Sequence, residues 1–362
     1  MPRIVRVAAV AGTVMMKAPI KISHDVMDRS QPRVFVRVEA EGGAYGLGEA
    51  APLTFFNGES AASIKVVIDD LLGPAVMGKE ALDPRALVQA MELATPGNHT
   101  AKTGLEMALW DLAGRLTGLP VYRLIGGKVR ERVPLAHVLG LKELDATVDE
   151  ARDAVSRGYG TLKVKLTGDP EEDVRIIKAI RRAVGDGVSI RGDANTGYTV
   201  KNAIRAVKML EAFNLQYLEQ PCPREDPEGL KEIRDRSAIP IAADESLQSK
   251  RDALDLIRTR AVDWLVIKLI KVGGILAGLE IATLAHWAGI GCTIVSPVET
   301  CVGSAAGIHL ALAAPAAVPA HELNGPEYLA EDPSRGLSFG KPYVILDDRP
   351  GLGVELPGVS FS

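Results

Sequence analysis

Six charged residues fall inside or at the ends of otherwise apolar runs: Lys163 and Lys165 in TLKVKL, Asp193 in RGDAN, Glu219 in LEQP, Asp244 in ADES and Lys268 in VIKL. Burying such charges is costly unless they are paired or metal-bound. Their spacing is regular. Lys165 precedes Asp193 by 28 residues, Asp193 precedes Glu219 by 26, Glu219 precedes Asp244 by 25, and Asp244 precedes Lys268 by 24. Each interval is the length of one strand and one helix. In a closed parallel barrel these residues would stand at the C-terminal ends of consecutive strands, the face on which such barrels carry active sites.

Asp193, Glu219 and Asp244 would then converge as a hard, oxygen-only site. That donor chemistry selects Mg²⁺, or Mn²⁺, with water or substrate completing the shell. Lys165 and Lys268 would stand on opposite sides, as two bases facing opposite faces of a metal-held substrate. Burial and a nearby cation tune such lysines toward neutrality. Lys163 is expected to support Lys165 electrostatically and to approach the substrate. Strand alternation turns Glu245 away from the metal or behind its ligands. Glu299 in SPVE has two readings, a functional group or a structural ion pair. His309, His286 and His137 read as core histidines, and His321 could orient a neighbour. Gly273-Gly274, Gly303 and Gly307 could cradle a phosphate at helix N-termini, or serve turns and close packing.

The elements that must position these groups follow from the pattern around them. From about residue 132, short apolar runs alternate with amphipathic stretches. The runs are 133–141, 161–166, 189–195, 215–221, 239–246, 264–269, 292–299 and 316–324. This signals βαβ units, and eight runs over about 190 residues fit a closed barrel better than an open sheet. Residues 1–125 read as an α+β domain. Strands are expected at 3–15 and 33–39, with the polar loop 16–32 between them and a second loop at 50–60. Helices are expected at 61–72, 84–93 and 100–116. Residues 326–362 break the repeat, contain a strand-like piece at 342–346, and are expected to return to the N-terminal domain. Residues 126–325 are left as the barrel.

Composition excludes several classes. The 362 residues carry 42 Lys+Arg against 46 Asp+Glu, a net charge of −4, so no charge excess points to nucleic acid or an anionic membrane. Three cysteines without a CxxC pair fit a reducing compartment, the cytoplasm. The first residues continue as a strand pattern rather than a signal peptide. The longest apolar stretch, 302–320, is interrupted by His309, Pro315 and Pro319, and reads as a buried helix and strand start rather than a membrane span.

The motifs K-x-K (Lys163, Lys165), GDAN, LEQP, ADES and IKLIKVGG, in this order and spacing, resemble the enolase superfamily, in particular its muconate-lactonizing subgroup. GLGEAAP resembles the strand and loop of that group's capping domain. The likeness covers nearly the whole chain. It implies a modified TIM barrel, (β/α)₇β, capped by an N-terminal α+β domain that the C-terminal tail completes. It also implies one Mg²⁺ on Asp193, Glu219 and Asp244, a small-molecule carboxylate as substrate, and a homo-oligomer.

By the same resemblance, Lys165 and Lys268 are the acid/base pair, and Mg²⁺ with Lys163 stabilises an enediolate, the kind of chemistry known for such sites. Reprotonation from the opposite face gives racemisation or epimerisation; the same pair also serves cycloisomerisation or β-elimination. Strand 8 and the capping loops discriminate. Dipeptide epimerases of the family carry Asp-x-Asp on strand 8 for the substrate's ammonium. Here Glu322 and Asn324 stand there, ahead of Gly-Pro, in a form closer to muconate-type cycloisomerases. A cycloisomerase is therefore the first expectation, and a racemase or epimerase of a dipeptide or N-substituted amino acid the second. Ile20, Ile22 and His24 in the first loop, with Phe55 and Phe56 in the second, are expected to touch the distal part of the substrate; the two Phe could instead pack the cap on the barrel. A non-catalytic carboxylate-binding barrel and a phosphosugar enzyme are the remaining readings.

Overall fold

A computed structural model describes residues 1–23, 26–316, 320–340 and 342–361, without the side chain of Phe55. Three long strands open the chain: β1 (Ile4–Met15), β2 (Ser30–Ala40) and β3 (Tyr45–Ala50). They form one antiparallel sheet in the order β1-β2-β3, with Val10 opposite Phe35 and Val36 opposite Gly48. The loop expected between the first two strands holds a short hairpin, Ile20–Lys21 against Val26–Met27.

The expected helices appear as Ala61–Val67, running on through one π turn at Ile68–Leu72, then Pro84–Ala94 and His99–Thr117. Ser60 caps the first of these through a reciprocal bond pair with Ser63. The helix His99–Thr117 is buried without a break from Thr100 to Gly114 and lies directly on β3. Glycine makes that approach possible. A Cβ on Gly48 would stand 1.9 Å from the carbonyl of Gly104, and one on Gly46 2.1 Å from that of Ala108.

The second body is a curled parallel sheet of seven strands in sequential order. These are β4 (His137–Leu139), β5 (Thr161–Lys165), β6 (Ser189–Asp193), β7 (Leu215–Glu219), β8 (Ile241–Ala243), β9 (Trp264–Ile267) and β10 (Gly291–Ile294). Among the described residues, the eighth run forms no ladder. It contributes single bridges, His321 to Leu135 and Glu322 to Val295, which join the two ends of the sheet and close the barrel. Register sets the level of the charged residues: Lys165 lies opposite Asp193, and Asp193 opposite Glu219. Helices between the strands cover the outside, several with side-chain caps, as at Asp169, Thr199, Asp226 and Ser249.

The C-terminal tail divides its contacts. Tyr343–Val344 pairs with Val133–Pro134 at the start of the barrel. Beyond it, the N–H of Leu352 donates to Asp111, Arg115 donates to Glu355, and Arg6 donates to the carbonyl of Phe361, all on the N-terminal domain. Residues 302–313 of the apolar stretch lie in a buried helix, Cys301–Ala313, and among the described residues no helix is long and apolar enough to cross a membrane.

Candidate active site

The ends of β5 to β9 deliver the predicted charges to one place. Lys163 and Lys165 are two apart on β5 and so share a face. The ammonium of Lys163 lies 3.1 Å from Asp193, 2.8 Å from Glu219 and 2.8 Å from Glu322. The ammonium of Lys165 lies 2.6 Å from Asp193 and donates to Asn195 Oδ1 at 2.9 Å. Across the site, Lys268 donates to Asp244. Lys271, one helical turn on, donates to the same carboxylate and to the carbonyl of Val266.

These charges are buried, and each bends its neighbours' ionisation. Burial works to raise Asp193, but Lys163 and Lys165 outweigh it and bring it down to about 2. Asp244 is likewise held well below the carboxylate range by Lys268, Lys271 and Lys163 against the effect of burial. Glu219 goes the other way: burial and the Asp193 charge push it well up. Burial would lower Lys163 and Lys268, but their carboxylate partners raise both. In this arrangement Lys268 is therefore raised rather than tuned toward neutrality. Lys271, fully enclosed, is lowered by burial.

Among the described residues no three Asp, Glu, His or Cys side chains are disposed to hold a metal ion. Buried carboxylates require a counter-charge, and the ammonium groups supply it. The donor set nonetheless fits a hard cation: it is oxygen-only, Glu219 Oε2 is buried without a partner, and a positive charge already bridges Asp193 and Glu219.

A cavity of about 330 Å³ opens above these groups. It is lined by Lys163, Lys165, Lys268, Glu322 and Asn324, and by Ile20, Ile22 and Phe56 from the capping loops. Phe56 lies over Lys268, with its ring centroid 4.4 Å from Nζ. His24 lies outside the described residues, as does the side chain of Phe55.

Two placements differ from the sequence expectations. Glu245 lines the cavity and accepts from Asn195 Nδ2 at 3.1 Å. Strand alternation does not reach it, because β8 ends at Ala243. Burial, with Asp244 and Asp193, pushes Glu245 up to about 7. Glu299 is not among the residues that line this cavity. The wall at that strand end is Ser296, Pro297 and Val298, and Val298 turns through a left-handed φ of 62°. The Glu299 side chain packs at the seam with the N-terminal domain, where burial and the nearby Glu49 push it up to about 8.

Several site residues had a usable signal that the sequence reading passed over. Arg191 alternates with Asp193 on β6, and Lys271 follows Lys268 by one helical turn. Asn195 ends the GDAN motif. Left-handed backbone at Asn195, Thr196 and Val298 concentrates strain at the cavity rim. His321 accepts from the N–H of Ile294, and His309 from that of Tyr122; burial lowers both, to about 3 and about 4.

A barrel of this topology with an α+β cap, and paired lysines flanking three acidic strand ends, is the architecture of the enolase superfamily. Residues 4–126 match the N-terminal domain of the mandelate racemase / muconate lactonizing enzyme family, and residues 146–358 the enolase C-terminal domain-like family. The chain belongs to that family. It is 32% identical to the N-succinyl-L-Arg/Lys racemase of Bacillus cereus over 342 residues, 94% of this chain and 92% of the relative. It is 33% identical to a chloromuconate cycloisomerase of Cupriavidus necator over 359 residues, 97% and 96% of the two chains. A dipeptide epimerase from Enterococcus faecalis, solved with Mg and L-Leu-L-Tyr, superposes with a TM-score of 0.93 at 33% identity, covering 97% of this chain and 99% of that one. These relatives are isomerases, and so is this protein; they span both reactions expected from the sequence and favour neither.

Proposed function

We propose that this protein is a Mg²⁺-dependent isomerase that moves a proton between the two faces of the carbon next to a substrate carboxylate, acting on an N-acylated amino acid. The observation that carries this reading is the opposition of Lys165 and Lys268. Both reach one cavity, each held by a different aspartate, each with 12% of its side chain exposed. Asp193, Glu219 and Asp244 would hold the ion. Bound there, Mg²⁺ (or Mn²⁺) supplies counter-charge to the carboxylates and polarises the substrate carboxylate.

The lysines then divide the work. One, deprotonated, takes the α proton and leaves its electron pair in an enediolate. The other, as ammonium, donates a proton to the opposite face and inverts the centre. Lys163 holds positive charge beside the developing oxyanion, a contribution that is often the largest in such reactions. Ile20, Ile22, Leu53 and Phe56 exclude water and contact the distal substrate.

The last run of the barrel, which carries Glu322 and Asn324, supports a substrate without a free ammonium. Glu322 is already balanced by Lys163 at 2.8 Å and Arg191 at 3.6 Å, and Asn324 donates to Glu327. A second reading, cycloisomerisation of a muconate-type diacid, is favoured by the Glu322-Leu323-Asn324-Gly325-Pro326 form and by the cycloisomerase relative. We place the protein in the cytoplasm, with residues 126–325 as its catalytic domain, and as a homo-oligomer.

Incubation with Mg²⁺ in D₂O tests these readings. Deuterium entering the α-carbon of N-acyl amino acids, and lost with EDTA, supports the first. Conversion of muconate to a singly deuterated lactone without amino-acid exchange replaces it with the second.

A further inference from the structure

The inner cations of the cavity are committed: Lys163, Lys165 and Lys268 are bound to Asp193, Glu219, Glu322 and Asp244. Arg224 is different. It follows the LEQP strand end, lines the same cavity, and touches none of those carboxylates. Its Nη1 donates to the carbonyl of Phe56 at 2.6 Å, and its Nε to Glu225 Oε1 at 2.6 Å. A guanidinium has five N–H donors, so these two bonds leave a fork available.

The two partners differ in kind. The Phe56 carbonyl fixes the guanidinium against the capping loop whose ring covers Lys268. Glu225 is a neighbour in sequence with a side chain 70% exposed, in an ion pair of the solvent-exposed type that contributes little. An entering carboxylate replaces Glu225 readily and gains a bidentate, charge-assisted contact. We propose that Arg224 is a specificity-determining residue that receives a second, distal carboxylate of the substrate, such as the free end of an N-succinyl group. This inference rests on the N-acyl amino acid reading above.

The test compares N-succinyl derivatives of leucine, phenylalanine and arginine with their N-succinamoyl counterparts, which keep the shape and lose the distal charge. The readout is kcat/KM for α-deuterium exchange by the wild type, Arg224→Gln and Arg224→Lys. The wild type is expected to favour the succinyl member tenfold or more, Arg224→Gln to reduce that preference to threefold or less, and Arg224→Lys to retain part of it. A preference unchanged in Arg224→Gln overturns the proposal. So does an equal fall on both members, because the residue would then act only through Phe56. Wild-type turnover of both members with no preference overturns the proposal alone. Exchange with no member of any pair overturns the N-acyl amino acid reading, and this inference with it.

Discussion

The ammonium of Lys268 is held between the carboxylate of Asp244 and the face of Phe56, whose ring centroid lies 4.4 Å from Nζ. One contact comes from the barrel and the other from the capping loop. The loop therefore touches a proposed proton-transfer group directly. A cation over an aromatic face gains about 0.5–2 kcal/mol, depending on desolvation. Phe56→Leu keeps an apolar cover and removes that attraction. It is expected to lower kcat by about 3- to 30-fold. Steady-state kinetics at saturating Mg²⁺ checks this, and a kcat equal to wild type would show that Phe56 only packs the cap.

The two lysines should fail differently. If each serves one face, Lys165→Ala and Lys268→Ala both abolish racemisation, by at least about 10²–10⁴-fold as expected for loss of a general acid or base. Each variant should still exchange the α proton of one enantiomer, the one whose proton faces the lysine that remains. Proton NMR in D₂O with separate enantiomers reads this directly. Equal loss of exchange from both enantiomers in both variants would contradict the division of labour.

Chelation gives a third test. Removing the ion with EDTA should abolish turnover, and re-adding Mg²⁺ should restore it. A ligand that binds only the folded state at 100 times its Kd stabilises by about 2.7 kcal/mol. Saturating Mg²⁺ should therefore raise the Tm, and Glu219→Gln should reduce that rise. A melting temperature insensitive to Mg²⁺ would remove Asp193, Glu219 and Asp244 from the role proposed for them.

Much of this site was legible because β-sheet register and βα-unit length are both periodic. A charge that recurs once per unit in apolar strands has to face a common end, which is how Asp193, Glu219 and Asp244 could be read together. Residues off the period were harder. Glu245 lies past the end of β8, where alternation has no hold. Glu299 follows the left-handed turn at Val298, and no local pattern forecasts a β-branched residue at positive φ. The last strand was legible in its place more than in its form. Its run 316–324 is apolar enough for a strand, and its described residues close the barrel through two bridges, because contacts at both sheet ends as well as propensity decide its form.

The displaced Glu299 yields the last prediction, on stability rather than catalysis. Its carboxyl is buried at the seam between cap and barrel, with Oε1 unpartnered. Glu49 lies beside it, tied to Arg33 at 3.0 Å and to the N–H of Gly303 at 2.9 Å. Ser296 accepts from the Glu299 N–H, and Gly303 packs so closely that a Cβ there would meet the carboxyl carbon at 2.7 Å. Burial first, and the Glu49 charge second, raise the folded-state value to about 8, against an unfolded value near 4.5. The folded protein then binds a proton that the unfolded chain releases between these values. The contribution to stability is complete below about pH 4.5 and is lost as pH rises through 8, at up to about 1.36 kcal/mol per pH unit. Glu299→Gln mimics the protonated form at all pH values. Denaturant titrations of wild type and variant should therefore agree near pH 5 and diverge by pH 8, with the variant more stable. Parallel pH profiles would show that Glu299 is ionised at the seam, balanced by Arg33.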